Sequence, residues 1–274
     1  MSIFKKYLNK KKIIITGHTG FKGSWLTLWC ILSGAKVYGI SNSITSNPSH
    51  FKELKLNRRI SSFNININNF KKLNKVFKKI QPDYVFHLAA QSLVTKSFEK
   101  PIETFSSNTI GTLNVLNSLL SIKKRCHAVI VTSDKSYKNL ELERGYKEDD
   151  LLGGKDPYSG SKGAAELIIN SYFNSYIIFK KNLSITIGRA GNVIGGGDWS
   201  IDRVVPDCMR SWSNNKVVKI RNPNSTRPWQ HVLEALSGYL ILSYRLSLNK
   251  KLHGEVFNFG PNNRNNFSVL EVIK

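Results

Sequence analysis

Acidic residues are scarce in this chain: 18 Asp and Glu stand against 41 Lys and Arg, a formal net charge of +23 over 274 residues. A balance of that sign admits nucleic acid, a membrane surface or an anionic small molecule as partner. The lysines are scattered, however, with short clusters only at residues 10–12 and 71–79, and no aromatic-interleaved basic stripe or nucleic-acid motif accompanies them. The charge therefore reads as surface composition that helps gather an anionic substrate, and no nucleic-acid partner is expected. Cysteine is scarcer still. Cys30, Cys126 and Cys208 form neither a metal-ligand spacing nor a disulfide framework. That argues against a metal site and a disulfide-stapled module, and for a reducing compartment. Long apolar runs are missing too. Nothing approaches the ~18 residues of a spanning helix, and Ile13-Ile14-Ile15 behind a basic start is too short for a signal-peptide core. A soluble, cytoplasmic protein with no membrane partner is expected. Apolar content of 41% with 11% aromatics excludes disorder, and the length suffices for one large core or a core with an appended lobe.

What the chain does have is alternation. Residues 11–16 read as a buried strand, and Gly17-His18-Thr19-Gly20-Phe21-Lys22-Gly23 leads from it directly into an apolar helix over 24–32. Strand, glycine turn and helix make a phosphate cradle. Gly17 permits the tight turn, Gly20 lets the backbone approach the anion, Gly23 allows close packing, and the helix N-terminus faces the negative charge. A bare glycine spacing also occurs in purely structural turns, and its place at the head of a strand–helix series is what gives it weight. A strand at 36–40 follows, near whose end the dinucleotide pattern expects a carboxylate. Here the residues are Ser41-Asn42-Ser43, so a neutral hydrogen bond from Ser41 or Asn42 would have to serve the ribose. A third strand at 60–65 brings Asn64 and Ile65 to the adenine edge, and a helix spans 69–80. The fourth strand, 84–88, ends in His87-Leu88-Ala89-Ala90-Gln91, whose small residues let a ligand lie against the backbone. His87 itself reads as an interior histidine.

A long helix over 101–120 precedes a fifth strand that delivers Ser133-Asp134-Lys135. Tyr158 and Lys162 then stand four residues apart at the head of a helix, 161–179, that is apolar nearly all round. On one helix face the ammonium can hold the phenol near its anionic form. Alone, such a pair is more often a surface pair; the upstream hydroxyl, carboxyl and second lysine change its meaning. After a strand at 183–187 the regular alternation stops. A dinucleotide-binding domain is expected over 1–189 and a smaller lobe over 190–274. The lobe contains a short helix and a strand at 217–221, with crossings back to the first domain through a helix at 233–248 and a strand at 256–259.

With these pieces in place the chain resembles the extended short-chain dehydrogenase/reductase superfamily over its whole length. Within it the likeness is to sugar-nucleotide 4,6-dehydratases that act on CDP-glucose. The generic motifs are the glycine turn, His87-Leu88-Ala89-Ala90-Gln91 and Tyr158-Ser159-Gly160-Ser161-Lys162. More specific are Thr132-Ser133-Asp134-Lys135, the run from Arg189 through Gly195-Gly196-Gly197-Asp198-Trp199, Asp202-Arg203-Val204-Val205-Pro206-Asp207, and Arg227-Pro228-Trp229-Gln230-His231. Members acting on dTDP-glucose or GDP-mannose carry Glu where this chain has Lys135. The resemblance implies an α/β fold, a doubly wound, mostly parallel Rossmann-type sheet with a smaller C-terminal substrate-binding lobe. Members continue for tens of residues beyond this chain's last residue, so the lobe reads as truncated.

The resemblance also implies a lyase that converts CDP-glucose to CDP-4-dehydro-6-deoxyglucose and water, with NAD as cofactor, a nucleotide sugar as substrate and a homodimer as the assembly. Cofactor contacts fall on Gly17, Thr19, Gly20, Phe21, Gly23, Asn64, Ile65, Leu88, Ala89, Ala90, Gln91 and Val193, together with Tyr158 and Lys162. Tyr158 is the base at the sugar 4-hydroxyl, Ser133 a hydrogen-bond donor to that oxygen, Asp134 the acid at C6 and Lys135 the base at C5. Asn192 and Arg227 match contacts to the nucleotide diphosphate, with Arg203 and Arg221 as weaker matches and Trp229 as a brace for Arg227. Two other readings stay open: another sugar-nucleotide dehydratase or 4-epimerase, and a catalytically silent dinucleotide-binding protein. Asp134 favours dehydration over epimerisation, and the presence of both Tyr158 and Lys162 argues against silence.

Overall fold

Ile13, Ile14 and Ile15 are all fully buried, but in two different places. Successive side chains of a strand point to opposite faces. Ile14 accordingly packs into one helical layer, and Ile13 and Ile15 pack into the other. The computed structural model, which describes residues 2–262 and 267–274, repeats this arrangement across a seven-stranded sheet. Its strands are β1 (Lys12–Thr16), β2 (Lys36–Ser41), β3 (Ser61–Asn64), β4 (Tyr84–His87), β5 (Cys126–Val131), β6 (Leu183–Ala190) and β7 (Val256–Phe259). All pair in parallel, in the spatial order 3-2-1-4-5-6-7. Cover on both faces is why the inner strands β1, β4 and β5 read as unbroken apolar runs, while β3 at the edge is mostly exposed.

One face is covered by α1 (Ser2–Leu8), α2 (Phe21–Leu32) and α7 (Val232–Leu248). The other carries α3 (Phe70–Ile80), α4 (Gly111–Leu120) and α5 (Pro157–Tyr172). A further helix, α6 (Val204–Trp212), lies outside these layers. Asn69 starts α3 by accepting from the Lys72 amide at 3.1 Å, a side-chain cap for an otherwise orphan donor. The α1 helix was not expected: Phe4 and Leu8 are buried, and the Tyr7 hydroxyl donates to Leu240 O of α7 at 2.7 Å.

Three further expectations need correction. The helix expected over 101–120 is helical throughout, but its middle, Ser106–Ile110, is a π turn. The helix expected from 161 begins at Pro157, and it too ends in a π turn, Phe173–Ile177. No strand forms at 217–221. Its Val217, Val218 and Ile220 carry an apolar pattern, but a strand needs a neighbour to hold its backbone donors, and Val217 is exposed.

The strand order reverses between β1 and β4, and at such a switch the carboxyl ends open a crevice that binds ligands in doubly wound sheets. Residues 191–231 sit beyond the same sheet end and are held by two-residue ladders, Val193–Ile194 against Gln230–His231 and Thr226–Arg227 against Phe267–Ser268. The chain then returns through α7, and β7 pairs with β6 at the sheet edge. Among the described residues no helix is long and apolar enough to cross a membrane, and all three cysteines are free and buried.

Candidate active site

At the switch point the glycine turn leaves β1. Gly17 has φ +75°, and a Cβ there would lie 2.8 Å from the Ala89 amide nitrogen, so the turn and the end of β4 touch backbone to backbone. A Cβ on Gly23 would fall 2.0 Å from Gly17 O, which shows how tightly α2 folds back on the turn. Gly20 is the N-cap of α2 and contributes no side-chain cap. The first amides of the helix are thus left for an anion. This is a cradle that fits a dinucleotide pyrophosphate. Thr19 Oγ1 donates to Ser43 O at 2.6 Å and ties the turn to the end of β2. Asn64 and Ile65 lie at the end of β3, where the Ile65 amide donates to Ser41 O at 3.0 Å. Leu88, Ala89 and Ala90 line the end of β4, and none of the three is fully buried. Gln91 faces inward: its side chain donates to Leu93 O and Thr104 Oγ1, both at 3.0 Å, and accepts from the Leu93 amide at 2.6 Å. Its side chain is thus committed to these partners.

Tyr158 is fixed by the way α5 begins. Asp156 Oδ1 accepts from the amides of Tyr158 at 2.9 Å and Ser159 at 3.0 Å, and Pro157 occupies the first helical position. This capping moves the helix start upstream of 161 and puts Tyr158 in its first turn. Tyr158 and Lys162 are 8% and 7% exposed, which rules out a surface pair. At the end of β5, Ser133 opens a 3₁₀ turn, Asp134–Ser136. Ser133 Oγ accepts from the Lys135 amide at 3.2 Å and donates to Asp134 Oδ1 at 3.0 Å, and the Tyr158 hydroxyl lies 3.5 Å away. Lys135 Nζ donates to Asp134 Oδ2 at 2.9 Å, in a half-exposed ion pair. All five expected catalytic residues meet here.

The electrostatics differ from expectation. Burial pushes the Tyr158 phenol above its ordinary value; the Ser133 hydrogen bond opposes the rise and Asp134 adds to it. Burial pushes Lys162 down to about 8, with Glu166 opposing. Burial is the largest cause of both shifts, and among the described residues no hydrogen bond joins the two groups.

Four residues at this site were not anticipated. Glu166, one turn beyond Lys162 on α5, forms a bidentate pair with Arg189 of β6, Nε to Oε1 at 2.8 Å and Nη2 to Oε2 at 3.0 Å. Asn108, on the π turn, accepts from the Gln91 amide at 2.8 Å and donates to Ser161 Oγ at 2.9 Å. Lys22, in the glycine turn, is pushed down to about 8 by desolvation, with Arg203 and Lys162 adding like charge and Asp134 opposing. A charged residue inside an apolar helix or strand was the available signal for Glu166 and Arg189. Asn108 and Lys22 left none.

The expected anion contacts are brought to the same sheet end. A Cβ on Gly191 would lie 2.8 Å from Pro228 and 3.5 Å from Asp134 Oδ2, so the loop after β6 and the segment holding Arg227 both abut the catalytic turn. Asn192 O accepts from the Gln230 amide at 3.3 Å, and Val193 pairs with Gln230. Arg203 pairs with Asp198 at 3.3 Å. Arg221 is different. It is 67% exposed and reaches only Asp202, at 3.5 Å. Trp229 Nε1 donates to Phe267 O at 3.1 Å and its amide to Arg227 O at 2.9 Å, so it braces the Arg227 backbone.

The family model described as GDP-mannose 4,6 dehydratase matches residues 14–269. The chain belongs to this family. The superfamily expected from the motifs is thereby established. CDP-glucose 4,6-dehydratase of Salmonella typhimurium is 45% identical over 99% of this chain and 77% of its own length. dTDP-D-glucose 4,6-dehydratase of Dictyostelium discoideum is 27% identical over 96% of this chain and 61% of its own. Among solved structures, the epimerase Mth375 of Methanothermobacter thermautotrophicus superposes with a TM-score of 0.84 at 26% identity, covering 100% of this chain and 77% of that one. The dTDP-glucose 4,6-dehydratase of Streptomyces venezuelae, solved with NAD bound, shares the fold at a TM-score of 0.80 and 20% identity, over 96% of this chain and 79% of that one.

Proposed function

We propose that this chain catalyses the intramolecular dehydration of CDP-glucose to CDP-4-dehydro-6-deoxyglucose, with NAD as its resident cofactor. The observation that carries the reading is the meeting of Ser133, Asp134 and Lys135 on one turn with the buried pair Tyr158 and Lys162. The name of the 45%-identical relative supports the CDP-glucose substrate. Gly17, Gly20, Gly23, the open N-terminus of α2 and the backbone at Leu88, Ala89 and Ala90 would hold the dinucleotide. When bound, NAD supplies reversible hydride acceptance, taken from C4 of the sugar and returned to C6.

The remaining chemistry belongs to side chains. Tyr158 Oη takes the proton of the 4-hydroxyl, Ser133 Oγ donates to the 4-oxygen, and Lys162 supplies positive charge beside the phenol. A ketone at C4 acidifies the C5 hydrogen. With the proton of the pair resting on Asp134 and Lys135 neutral, Lys135 Nζ removes that hydrogen while Asp134 delivers its proton to the departing C6 hydroxyl. A 4-epimerase has no use for that acid. Asn192, Arg203 and Arg227 hold the diphosphate of the nucleotide, where a guanidinium fork matches paired oxygens, and Arg221 contributes charge at the rim. Residues 1–189 serve as the cofactor domain and 190–274 as the substrate lobe, in a cytoplasmic enzyme.

The assembly is a homodimer. Ile102, Phe105, Ile110, Leu167, Tyr176 and Phe179 are all exposed on the segments 101–110 and 157–179, an apolar set that a second copy would cover. Incubation with CDP-glucose and detection of a 4-keto-6-deoxy sugar by its absorbance in alkali tests the activity, and no product from folded protein refutes it. Sedimentation at micromolar concentration tests the dimer, and a monomeric mass refutes that part.

A further inference from the structure

The pair formed by Glu166 and Arg189 is 2% and 3% exposed, yet a buried ion pair is poor evidence of a stabilising role, because well-packed apolar residues of the same volume often do as well or better. An apolar pair could not, however, accept a hydrogen bond from a hydroxyl group, and Glu166 does. Thr132 Oγ1 donates to Glu166 Oε1, and Ser136 Oγ, whose hydrogen goes to Ser133 O at 2.6 Å, sits 3.3 Å from the same carboxylate oxygen. Thr132 immediately precedes Ser133 and Ser136 immediately follows Lys135. One carboxylate therefore meets both ends of the three-residue stretch Ser133-Asp134-Lys135, from the helix that carries Tyr158 and Lys162.

We propose that Glu166 is a positioning residue that locks the acid–base turn after β5 onto the Tyr158–Lys162 helix, so that groups from two separate elements share one rigid frame. Arg189 completes the lock. Its Nη1 donates to the Tyr137 hydroxyl at 2.6 Å and to Glu148 O at 2.9 Å, and the guanidinium lies 4.6 Å from the centre of the Tyr137 ring. The Tyr137 hydroxyl in turn donates to Asn258 Oδ1 on β7 at 2.7 Å. The residue after the turn is thereby fixed to β6 and β7, and through Arg189 to the loop holding Glu148. Without the contacts to Glu166 the turn keeps its internal hydrogen bonds and the one from the Gly153 amide to Ser136 O at 2.9 Å, and its link to Tyr158 is a 3.5 Å contact.

The kinetic arm of the test rests on the function proposed above. Thr132→Val with Ser136→Ala deletes both contacts to Glu166, together with the Ser136 bond to Ser133 O, and leaves the ion pair in place; Thr132→Val alone spares the bond inside the turn. Amides of residues 133–137 should then exchange with solvent about tenfold or more faster as the turn opens locally. With CDP-glucose, kcat should fall about 10- to 100-fold at a KM within about twofold, the scale of a small misplacement of reacting groups. Thr132→Ser, which keeps the hydroxyl, should hold both readouts at parental values. Should the double variant not fold, Thr132→Val alone is judged by the same two measurements. Unchanged exchange overturns the proposal, as does a parental kcat in spite of faster exchange, or an equal loss in Thr132→Ser. A parent that never turns over CDP-glucose refutes the proposed function instead, and the exchange of 133–137 then decides the tether by itself.

Discussion

Every residue of β6 is buried and the strand is flanked by β5 and β7, whereas none of residues 211–229, about twenty positions further along, is buried. The groups assigned to proton transfer grow from the first kind of structure, and Arg221 and Arg227, two of the arginines assigned to the nucleotide, from the second. Proton transfer needs side chains held to a fraction of an ångström, and a doubly covered parallel sheet supplies that. Recognition of a flexible, strongly charged diphosphate tolerates a looser frame, because long guanidinium side chains adjust to reach it. If this division is real, substitutions in the first region should act on kcat or on stability, and substitutions in the second mainly on KM.

The largest effect should come from Tyr158→Phe. Removing the base at the 4-hydroxyl should lower kcat by about 10³-fold or more, with thermal unfolding nearly unchanged because the hydroxyl has only the long contact to Ser133 to lose. Turnover within tenfold of the parent would take Tyr158 out of the mechanism. Lys135→Met should abolish solvent-deuterium incorporation at C5 of the sugar, a loss of about 10² or more for a displaced general base. Incorporation at the parental rate would return Lys135 to the role of a solvated partner of Asp134.

Stability should respond most to breaking the buried pair on one side only. Arg189→Met leaves the Glu166 carboxylate without its counter-charge and should cost about 3–5 kcal/mol, while Glu166→Met combined with Arg189→Met should recover most of that. Denaturant melts of the two variants measure it. Equal losses would mean that packing, and not charge, sets the cost.

The same two regions differ in how far they could be read from sequence. The strands β1, β4 and β5 were legible because strands covered on both faces must be apolar throughout. The glycine turn was legible because Gly17 and Gly23 occupy positions where a Cβ collides with backbone. The π turn at Ser106–Ile110 was not, since one extra residue in a helix leaves the apolar spacing almost unchanged, and Asn108 was missed with it. Glu166 and Arg189 lie 23 residues apart and declare themselves only when β6 and α5 are brought together. In the exposed region the error ran the other way. Val217, Val218 and Ile220 look like a strand, but pattern alone cannot supply a pairing partner.

Acid should weaken the covered region before it weakens the exposed one. His87 is buried between Thr16 Oγ1, 2.7 Å from Nδ1, and Thr112 Oγ1, 3.0 Å from Nε2. Thr112 donates to Asn108 O and so accepts from Nε2, which leaves Nδ1 as an acceptor and the ring neutral. Burial, helped by the Lys162 charge, pushes His87 down to about 3. Burial also holds His18 and His127 down to about 4. Between these values and the ordinary 6.5 the unfolded chain takes up protons that the folded chain refuses, so stability rises with pH across that window and is lost as pH falls below it. His87 by itself should contribute a loss of about 2 kcal/mol on going from pH 8 to pH 5. Melts of the parent and of His87→Gln over that range should show a shallower slope in the variant, and parallel slopes would remove His87 from the acid response.

The smallest effects should separate two arginines that look alike in sequence. Arg227 precedes Pro228, which packs against Gly191 beside Asp134, and Arg227 is half-buried with Nη1 donating to Thr226 O at 2.6 Å. Arg221 is exposed and paired only with Asp202. A single exposed ion pair contributes at most ~1 kcal/mol, so neither Arg227→Ala nor Arg221→Ala should move the unfolding midpoint appreciably. Their effects on substrate should differ. Loss of the Arg227 guanidinium, whose neighbour Pro228 packs against Gly191 beside Asp134, should raise KM for CDP-glucose by about tenfold or more, the scale of a charge-assisted hydrogen bond, with kcat largely kept. Loss of the rim guanidinium should change KM by less than about twofold at moderate ionic strength, where its field is screened within a Debye length. Raising the salt concentration should close whatever gap Arg221→Ala shows and leave the gap of Arg227→Ala. Equal KM effects in the two variants, with the same salt dependence, would mean that both arginines act through the general positive field of the chain and that the exposed region contains no specific diphosphate contact at Arg227.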